Sequence, residues 1–112
     1  MDTEEKWQNQ PPESKQSSII EELSKIELQA VDPDFMSRYH KAKTQTTDQA
    51  DLMRTDLAFM DKLHKLRGEG KISTVSKLKE KSKDMVNMNP NELRKAFHDY
   101  SEELKATVNS TT

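Results

Sequence analysis

Large apolar residues recur every three or four positions along most of this chain, and polar residues fill the positions between them. This spacing places the apolar side chains on one side of an α-helix. After Ser18, for example, Ile19, Leu23 and Ile26 follow one another at intervals of four and three residues. No segment alternates polar with β-branched residues, which is the pattern of a half-buried strand. The sequence therefore predicts an all-α protein without a β-sheet.

Helix start and stop signals divide the chain into predicted helices. Proline disfavours a helical conformation in the residue before it, so Pro33 should end the first helix. Gly68 and Gly70 should end the third helix. The predicted helices begin at Ser18, near Phe35, at Thr47 or Asp48, at Ser73 or Thr74, and at Asn89 with Pro90 behind it. We therefore expect a small bundle of three to five short amphipathic helices, in which the segments 48–67 and 90–108 pack together.

The helical pattern does not cover the whole chain. The first sixteen residues are polar, contain Pro11 and Pro12, and carry Trp7 as their large apolar side chain. Such a composition predicts disorder. We therefore expect a disordered acidic and polar arm over 1–17, a single helical domain over 18–109 and a disordered tail over 110–112. Trp7 is interpreted either as a docking anchor or as an incidental exposed aromatic residue.

The composition leaves little material for a core. Of the 112 residues, 31% are hydrophobic and 34% are charged, against roughly 45–50% and 25% in typical globular domains. Contact with a second copy or with another protein is therefore expected to complete the structure. There is no cysteine, which suits a reducing compartment. No apolar run approaches the length of a membrane span or of the apolar part of a signal peptide, so we expect a cytoplasmic protein that does not bind membranes.

Basic residues are concentrated in the middle of the chain. Residues 62–84 contain eight Lys or Arg and three acidic residues, a balance of +5. A helix, a glycine-containing turn and a second lysine-rich helix loosely match the layout of a helix-turn-helix, so nucleic-acid binding through 62–83 is the alternative function. Few side chains suited to reading bases lie there, and aromatic stacking residues are missing. The residues of this alternative are Lys71, Lys77, Lys79, Lys81 and Lys83.

No set of residues predicts catalysis or a metal site. The three histidines stand apart from one another, without a second ligand at the spacing that a metal site needs. Ser76 and Lys79 have a Ser-x-x-Lys spacing, but the companion motifs of that catalytic group are missing. We therefore predict a protein that is not an enzyme, with no cofactor, no bound metal and no small-molecule substrate.

These observations favour a helical protein that binds other proteins through its amphipathic helix faces, as an adaptor, a chaperone or an assembly factor. The partner is expected to be another protein, a second copy of the chain, or both. The residues predicted to contact the partner are Met53, Leu57, Met60, Leu63, Leu93, Phe97, Tyr100, Leu104 and Trp7.

Overall fold

The computed structural model describes residues 12–110 and the side chains of 14–107. It contains five α-helices, and no strand occurs in this part of the chain, which confirms the all-α prediction. The helices are α1 (Pro12–Val31), α2 (Pro33–Gln45), α3 (Gln49–Gly68), α4 (Val75–Met85) and α5 (Pro90–Ser110).

The first helix begins six residues earlier than the sequence pattern predicted. Residues 12–17, which were assigned to a disordered arm, form the first turns of α1. Pro12 suits this position because the first helical residues have no intrahelical partner for their N–H groups. The Lys15 ammonium donates to the Met88 carbonyl at 3.4 Å, and the Gln16 amide donates to the Ser82 hydroxyl at 3.1 Å. The early turns of α1 thus use polar side chains to bind α4 and the segment that follows it.

The remaining predicted boundaries fall at the ends of the chain. Ser110 belongs to α5, so this helix extends one residue beyond the predicted domain limit at 109. The rest of the predicted arm, residues 1–11 with Trp7, and the last two residues of the predicted tail lie outside the described residues.

The first helix is the central element of the bundle. It packs against α2, α4 and α5, and α3 packs against α2. The expectation that the segments 48–67 and 90–108 pack together is therefore wrong. The first helix contributes apolar residues to two different clusters, one shared with α3 and the other with α5. Ile19 and Leu23 meet α4 and α5, while Leu28, five residues after Leu23, meets α2 and α3.

Two buried clusters form the core. The α2–α3 cluster consists of Leu28, Met36, Tyr39, Phe59, Leu63, Leu66 and Ile72. The α4–α5 cluster consists of Ile19, Leu23, Leu78, Met85 and Leu93, with half-buried neighbours that include Phe97 and Tyr100. Within the first cluster the rings of Tyr39 and Phe59 stack with their centroids 4.8 Å apart. The apolar faces of the five helices are thus divided between two small cores.

Side-chain caps start three of the helices, at α4 and α5 as predicted and at α2 two residues before Phe35. The Asp32 carboxylate accepts from the Phe35 N–H at 3.1 Å, and the Thr74 hydroxyl accepts from the Lys77 N–H at 3.2 Å. At α5 the side chain of Asn89 accepts from the Glu92 N–H, and that of Glu92 accepts from the Asn89 N–H. This reciprocal pair satisfies two donors that a helix start leaves open. Each of these starts depends on residues within one turn of the boundary.

One buried position in α4 is polar. The sequence pattern showed a polar interruption between Leu78 and Met85, but Ser82 lies between them on the same side of the helix and is 0% exposed. Its hydroxyl donates to the Lys79 carbonyl at 2.9 Å and accepts from the Gln16 amide. Because both hydrogen-bonding needs are met, a serine fits where the pattern required an apolar residue.

A candidate interaction surface on the third helix

The third helix has two apolar faces. Phe59, Leu63 and Leu66 form the first face and are only 3–4% exposed within the α2–α3 cluster. Met53, Leu57 and Met60 follow one another at intervals of four and three residues, and they are 65%, 57% and 44% exposed. We call these three residues the α3 stripe. Large apolar side chains at helical spacing normally face a partner surface, so the α3 stripe is the apolar face that the core does not use.

The position of the neighbouring helix explains why the stripe is left out. At about 100° per residue, the stripe lies roughly 120° around the helix axis from the buried face. The second helix covers the buried face, where Met36 and Tyr39 enter the α2–α3 cluster. The stripe borders a shallow depression of about 280 Å³ that is also lined by Gln49, Leu52 and Asp56. Its surface is therefore open and mainly apolar.

One flank of the stripe carries a paired acid. The Lys43 ammonium lies 2.8 Å from the Asp56 carboxylate, which also accepts from the Tyr39 hydroxyl at 3.3 Å. The hydrogen bond from Lys43 holds the pKa of Asp56 below its ordinary value of 3.8. The charge of Asp56 is thus balanced within the chain, so this flank joins α2 to α3 without adding a free charge.

The other flank carries one basic and one acidic residue. Arg54 and Asp61 are seven residues apart, which is two helical turns. The Arg54 guanidinium contacts the Asp51 carboxylate and remains 70% exposed. Asp61 is exposed, and its side chain makes no hydrogen bond or ion pair with any described residue. This flank therefore presents both signs of charge to solvent.

The pairing of Asp56 predicts a specific response to acid. Because its pKa is lowered in the folded state, its contribution to stability is complete above 3.8 and is lost as the pH falls through the lower value of the folded protein. We expect Asp56→Asn to lower the free energy of unfolding near neutral pH by no more than about 1 kcal/mol. The stability of the Asp56→Asn variant should then fall less steeply than that of the natural chain from about pH 4 downward.

Urea unfolding at a series of pH values measures this effect. Asp84→Asn is the matched control, since Asp84 is exposed on α4 and has no ion pair with any described residue. It should leave the acid dependence unchanged. Parallel pH curves for Asp56→Asn and the natural chain would show that the Lys43 contact has no energetic role.

The predicted partner-binding residues occupy three different environments. Met53, Leu57 and Met60 are exposed together on α3, while Leu63 and Leu93 are 3% and 1% exposed. We assign these two leucines to the core, because neither can reach a partner while the bundle is closed. Phe97 and Tyr100 are half-buried beside the α4–α5 cluster, and Leu104 is half-buried along a groove next to it. Trp7 lies outside the described residues.

The predicted basic set is divided by the fold. Lys71, Lys77 and Lys81 line a groove of about 720 Å³ between α1, α4, α5 and the segment before α4. The Lys81 ammonium lies over the Tyr100 ring, 4.3 Å from its centroid. Helical spacing places Lys79 and Lys83 on the opposite side of α4. The groove is also lined by Glu27, Glu80 and Glu103, so its lysines do not form a uniformly positive surface.

A buried polar network was missed by the sequence analysis. Glu27 is 4% exposed, and its carboxylate accepts from the Tyr100 hydroxyl at 2.5 Å and from the Ser73 N–H at 2.6 Å. Arg67 donates to the Ser24 hydroxyl at 2.9 Å and to the Ser73 carbonyl at 3.2 Å. Burial, together with the hydrogen bond to Glu27, raises the pKa of Tyr100. The network therefore joins α1, α3 and α5 through polar contacts.

The position of Glu27 in the sequence offered one usable signal. It follows Leu23 by four residues, so it lies on a side of α1 that the apolar pattern assigns to the core. An acid at such a position requires hydrogen-bond donors when it is buried. The sequence could not identify those donors, because they come from α5 and from the segment before α4.

The residues from 12 to 110 include no group of three His, Cys, Asp or Glu side chains that could hold a metal ion. Among the helices described here, none is both long enough and apolar enough to cross a bilayer.

Comparison of the chain with protein-family models, with curated proteins and with solved structures found no match. The bundle and its α3 stripe are therefore the basis for a functional proposal.

Proposed function

We propose that this protein is a non-enzymatic interaction protein that binds a protein partner through the α3 stripe, in the manner of an adaptor, a chaperone or an assembly factor. The observation that carries the proposal is the exposure of Met53, Leu57 and Met60 on one face of a helix whose other apolar face is buried. Burial of apolar surface contributes about 25 cal/mol per Å². Covering these side chains is therefore a source of binding free energy.

The distribution of exposed apolar residues supports this choice of surface. Five large hydrophobic side chains are exposed in the described part of the chain, and three of them form the stripe. The other two, Val31 and Val75, lie outside α3 at the end of α1 and the start of α4. Isolated exposed apolar residues are common on protein surfaces, whereas clustered ones mark contact sites. The two methionines add flexible side chains that adapt to a partner.

Binding rather than catalysis also suits the titratable groups. The acids with displaced pKa values, Asp32 and Asp56, each bind a lysine ammonium within the bundle, at 2.9 Å for Lys62 and 2.8 Å for Lys43. Displaced pKa values arise in structural ion pairs as well as in active sites. Here the pairs connect α3 to α2 and to the turn before it. The absence of cysteine supports a reducing compartment such as the cytoplasm as the setting.

The alternative of nucleic-acid binding has less support from the geometry. Four of its five lysines lie on two sides of α4 and Lys71 lies before that helix. The groove that holds three of the five is also lined by three glutamates. A polyanion gains affinity from each phosphate that a cation neutralises. Acids within the same groove oppose that gain, so we base the proposed function on the α3 stripe.

Site-specific photo-crosslinking in the native host tests the proposed function. We expect a photoreactive residue in place of Met53 to form a covalent adduct with a defined protein, identified by mass spectrometry. Adding Leu57→Asp should reduce that adduct at least tenfold, which corresponds to about 1.4 kcal/mol of binding free energy. The matched control is the same photoreactive residue in place of Lys65, an exposed residue on another side of α3.

The control position should give no adduct with the same protein, and circular dichroism checks that each variant is folded. Equal adducts from positions 53 and 65, or none from position 53, would contradict the proposed use of the stripe.

A further inference from the structure

The charges beside the α3 stripe are arranged symmetrically about its centre. Arg54 and Asp61 lie on the same flank of α3, two turns apart, and the midpoint between them falls next to Leu57. Met53 and Met60 also lie on either side of this midpoint. A helix face with one basic and one acidic residue at equal distances from its centre is complementary to its own antiparallel copy.

We propose that a second copy of this chain occupies the stripe, with the two α3 helices antiparallel and a two-fold axis beside Leu57. This inference rests on the proposed function, because it names the partner of the same surface. A two-fold interface brings the same patch of both subunits together. In this arrangement the same flanks of the two helices meet, so Arg54 of one copy lies beside Asp61 of the other. Both pairs form at once.

The apolar residues fit the same register. Met53 of one copy lies beside Met60 of the other, and the two Leu57 side chains meet near the axis. Gln49 and His64, fifteen residues apart, have nearly the same midpoint and face each other at the two ends of the contact. Large apolar side chains thus fill the centre while polar residues form the rim, as in stable protein interfaces.

A parallel pairing lacks this complementarity. It would bring opposite flanks of the two helices together, which places Asp56 of one copy beside Asp61 of the other and Gln49 beside Arg54. Neither Arg54 nor Asp61 would then gain a partner of opposite charge. In the antiparallel pair the two Asp56 side chains lie on the same flank close to the axis, but Lys43 of each chain already balances that charge at 2.8 Å. The contact between Arg54 and Asp51 leaves the Arg54 side chain 70% exposed, so its guanidinium can also reach a second carboxylate. The charge pattern therefore selects the antiparallel orientation.

The size of the surface sets the expected strength. From the exposed fractions of its three side chains, two facing stripes would bury roughly 600–800 Å², below the roughly 1,200–2,000 Å² of stable complexes. We therefore expect a reversible dimer with a dissociation constant between about 10 μM and 1 mM. Such an equilibrium lets a more extensive partner replace the second copy.

Sedimentation equilibrium of the full chain, across about 10 μM to 1 mM, measures the dimer. The natural chain should shift from the mass of one chain to twice that mass. Leu57→Asp should remain a single copy throughout. Asp61→Arg alone and Arg54→Asp alone should each weaken the dimer about fivefold or more, because each places two like-charged pairs across the axis. The double variant restores opposite charges and should return to within about twofold of the natural chain.

The matched control is Asp84→Arg, the same change of charge at an exposed position on α4, which should leave the dimer unchanged. A natural chain that stays a single copy at 1 mM, a dimer that withstands Leu57→Asp, or a double variant no stronger than the single variants would each overturn the proposed dimer. A single copy combined with a positive crosslinking result would overturn only the identity of the occupant. The proposed function itself fails when the Met53 crosslinker finds no partner or when the control position gives an equal adduct.

Discussion

Replacing Leu63 by aspartate is expected to unfold the protein, whereas the same replacement at Leu57 is expected to leave it folded. Leu63 is 3% exposed in the α2–α3 cluster. Removing a buried leucine side chain costs about 2–5 kcal/mol, and an unpaired buried carboxylate adds several kcal/mol more. Together these costs match the total stability of a small domain, about 5–15 kcal/mol.

Leu57 lies on the same helix but is 57% exposed. Its replacement changes helix propensity and exposed apolar surface, with a combined effect of about 1 kcal/mol or less. Circular dichroism and urea unfolding of dilute protein, where the single copy dominates, compare the two variants directly. Equal loss of stability in both would show that the core covers the stripe.

Glu27→Ala should produce the second large effect, a loss of about 2–4 kcal/mol in the free energy of unfolding. The variant leaves the Tyr100 hydroxyl and the Ser73 N–H without the carboxylate that accepts from both, at 2.5 and 2.6 Å. Buried donors without an acceptor retain the full cost of their removal from water. Urea unfolding at neutral pH measures the loss.

Glu103→Ala is the matched control, because Glu103 lines the same groove but is exposed. It should change stability by no more than about 0.5 kcal/mol. Tyr100→Phe and its combination with Glu27→Ala complete a double-mutant cycle, which should give a coupling energy of about 1 kcal/mol or more. Additive effects of the two changes would contradict a direct interaction between these side chains.

The sequence predicted those features of the fold that depend on neighbouring residues. The starts of α4 at Thr74 and of α5 at Asn89 rely on hydrogen bonds within one turn. The end of α1 before Asp32 and the all-helical class follow from proline and from the helical spacing of apolar residues. These signals are local, so they can be identified in the sequence without knowledge of the packing.

Features that depend on distant residues could not be predicted in this way. In the sequence, the polar first turns of α1 resemble a disordered arm. Their order depends on the hydrogen bond from Gln16 to Ser82, which lies 66 residues further along. Glu27 was missed because its donors, Ser73 and Tyr100, follow it by 46 and 73 residues.

The candidate surface was predicted only in part for the same reason. Met53, Leu57 and Leu63 all belong to apolar patterns at helical spacing, so the sequence assigned them to one binding surface. The side of α3 against which α2 packs decides which of them are buried, and that arrangement involves contacts between separate helices. The sequence therefore identified the helix that carries the exposed stripe but did not separate its core face from its exposed face.

The third helix divides its apolar residues between a closed core and the exposed α3 stripe. Methyl NMR of dilute protein with a paramagnetic agent dissolved in the solvent measures this division directly. We expect strong relaxation enhancement at the methyl groups of Met53, Leu57 and Met60, and weak enhancement at those of Leu63 and Leu66. Similar protection of both sets would contradict this division, because it would show that the stripe is already covered within a single copy of the chain.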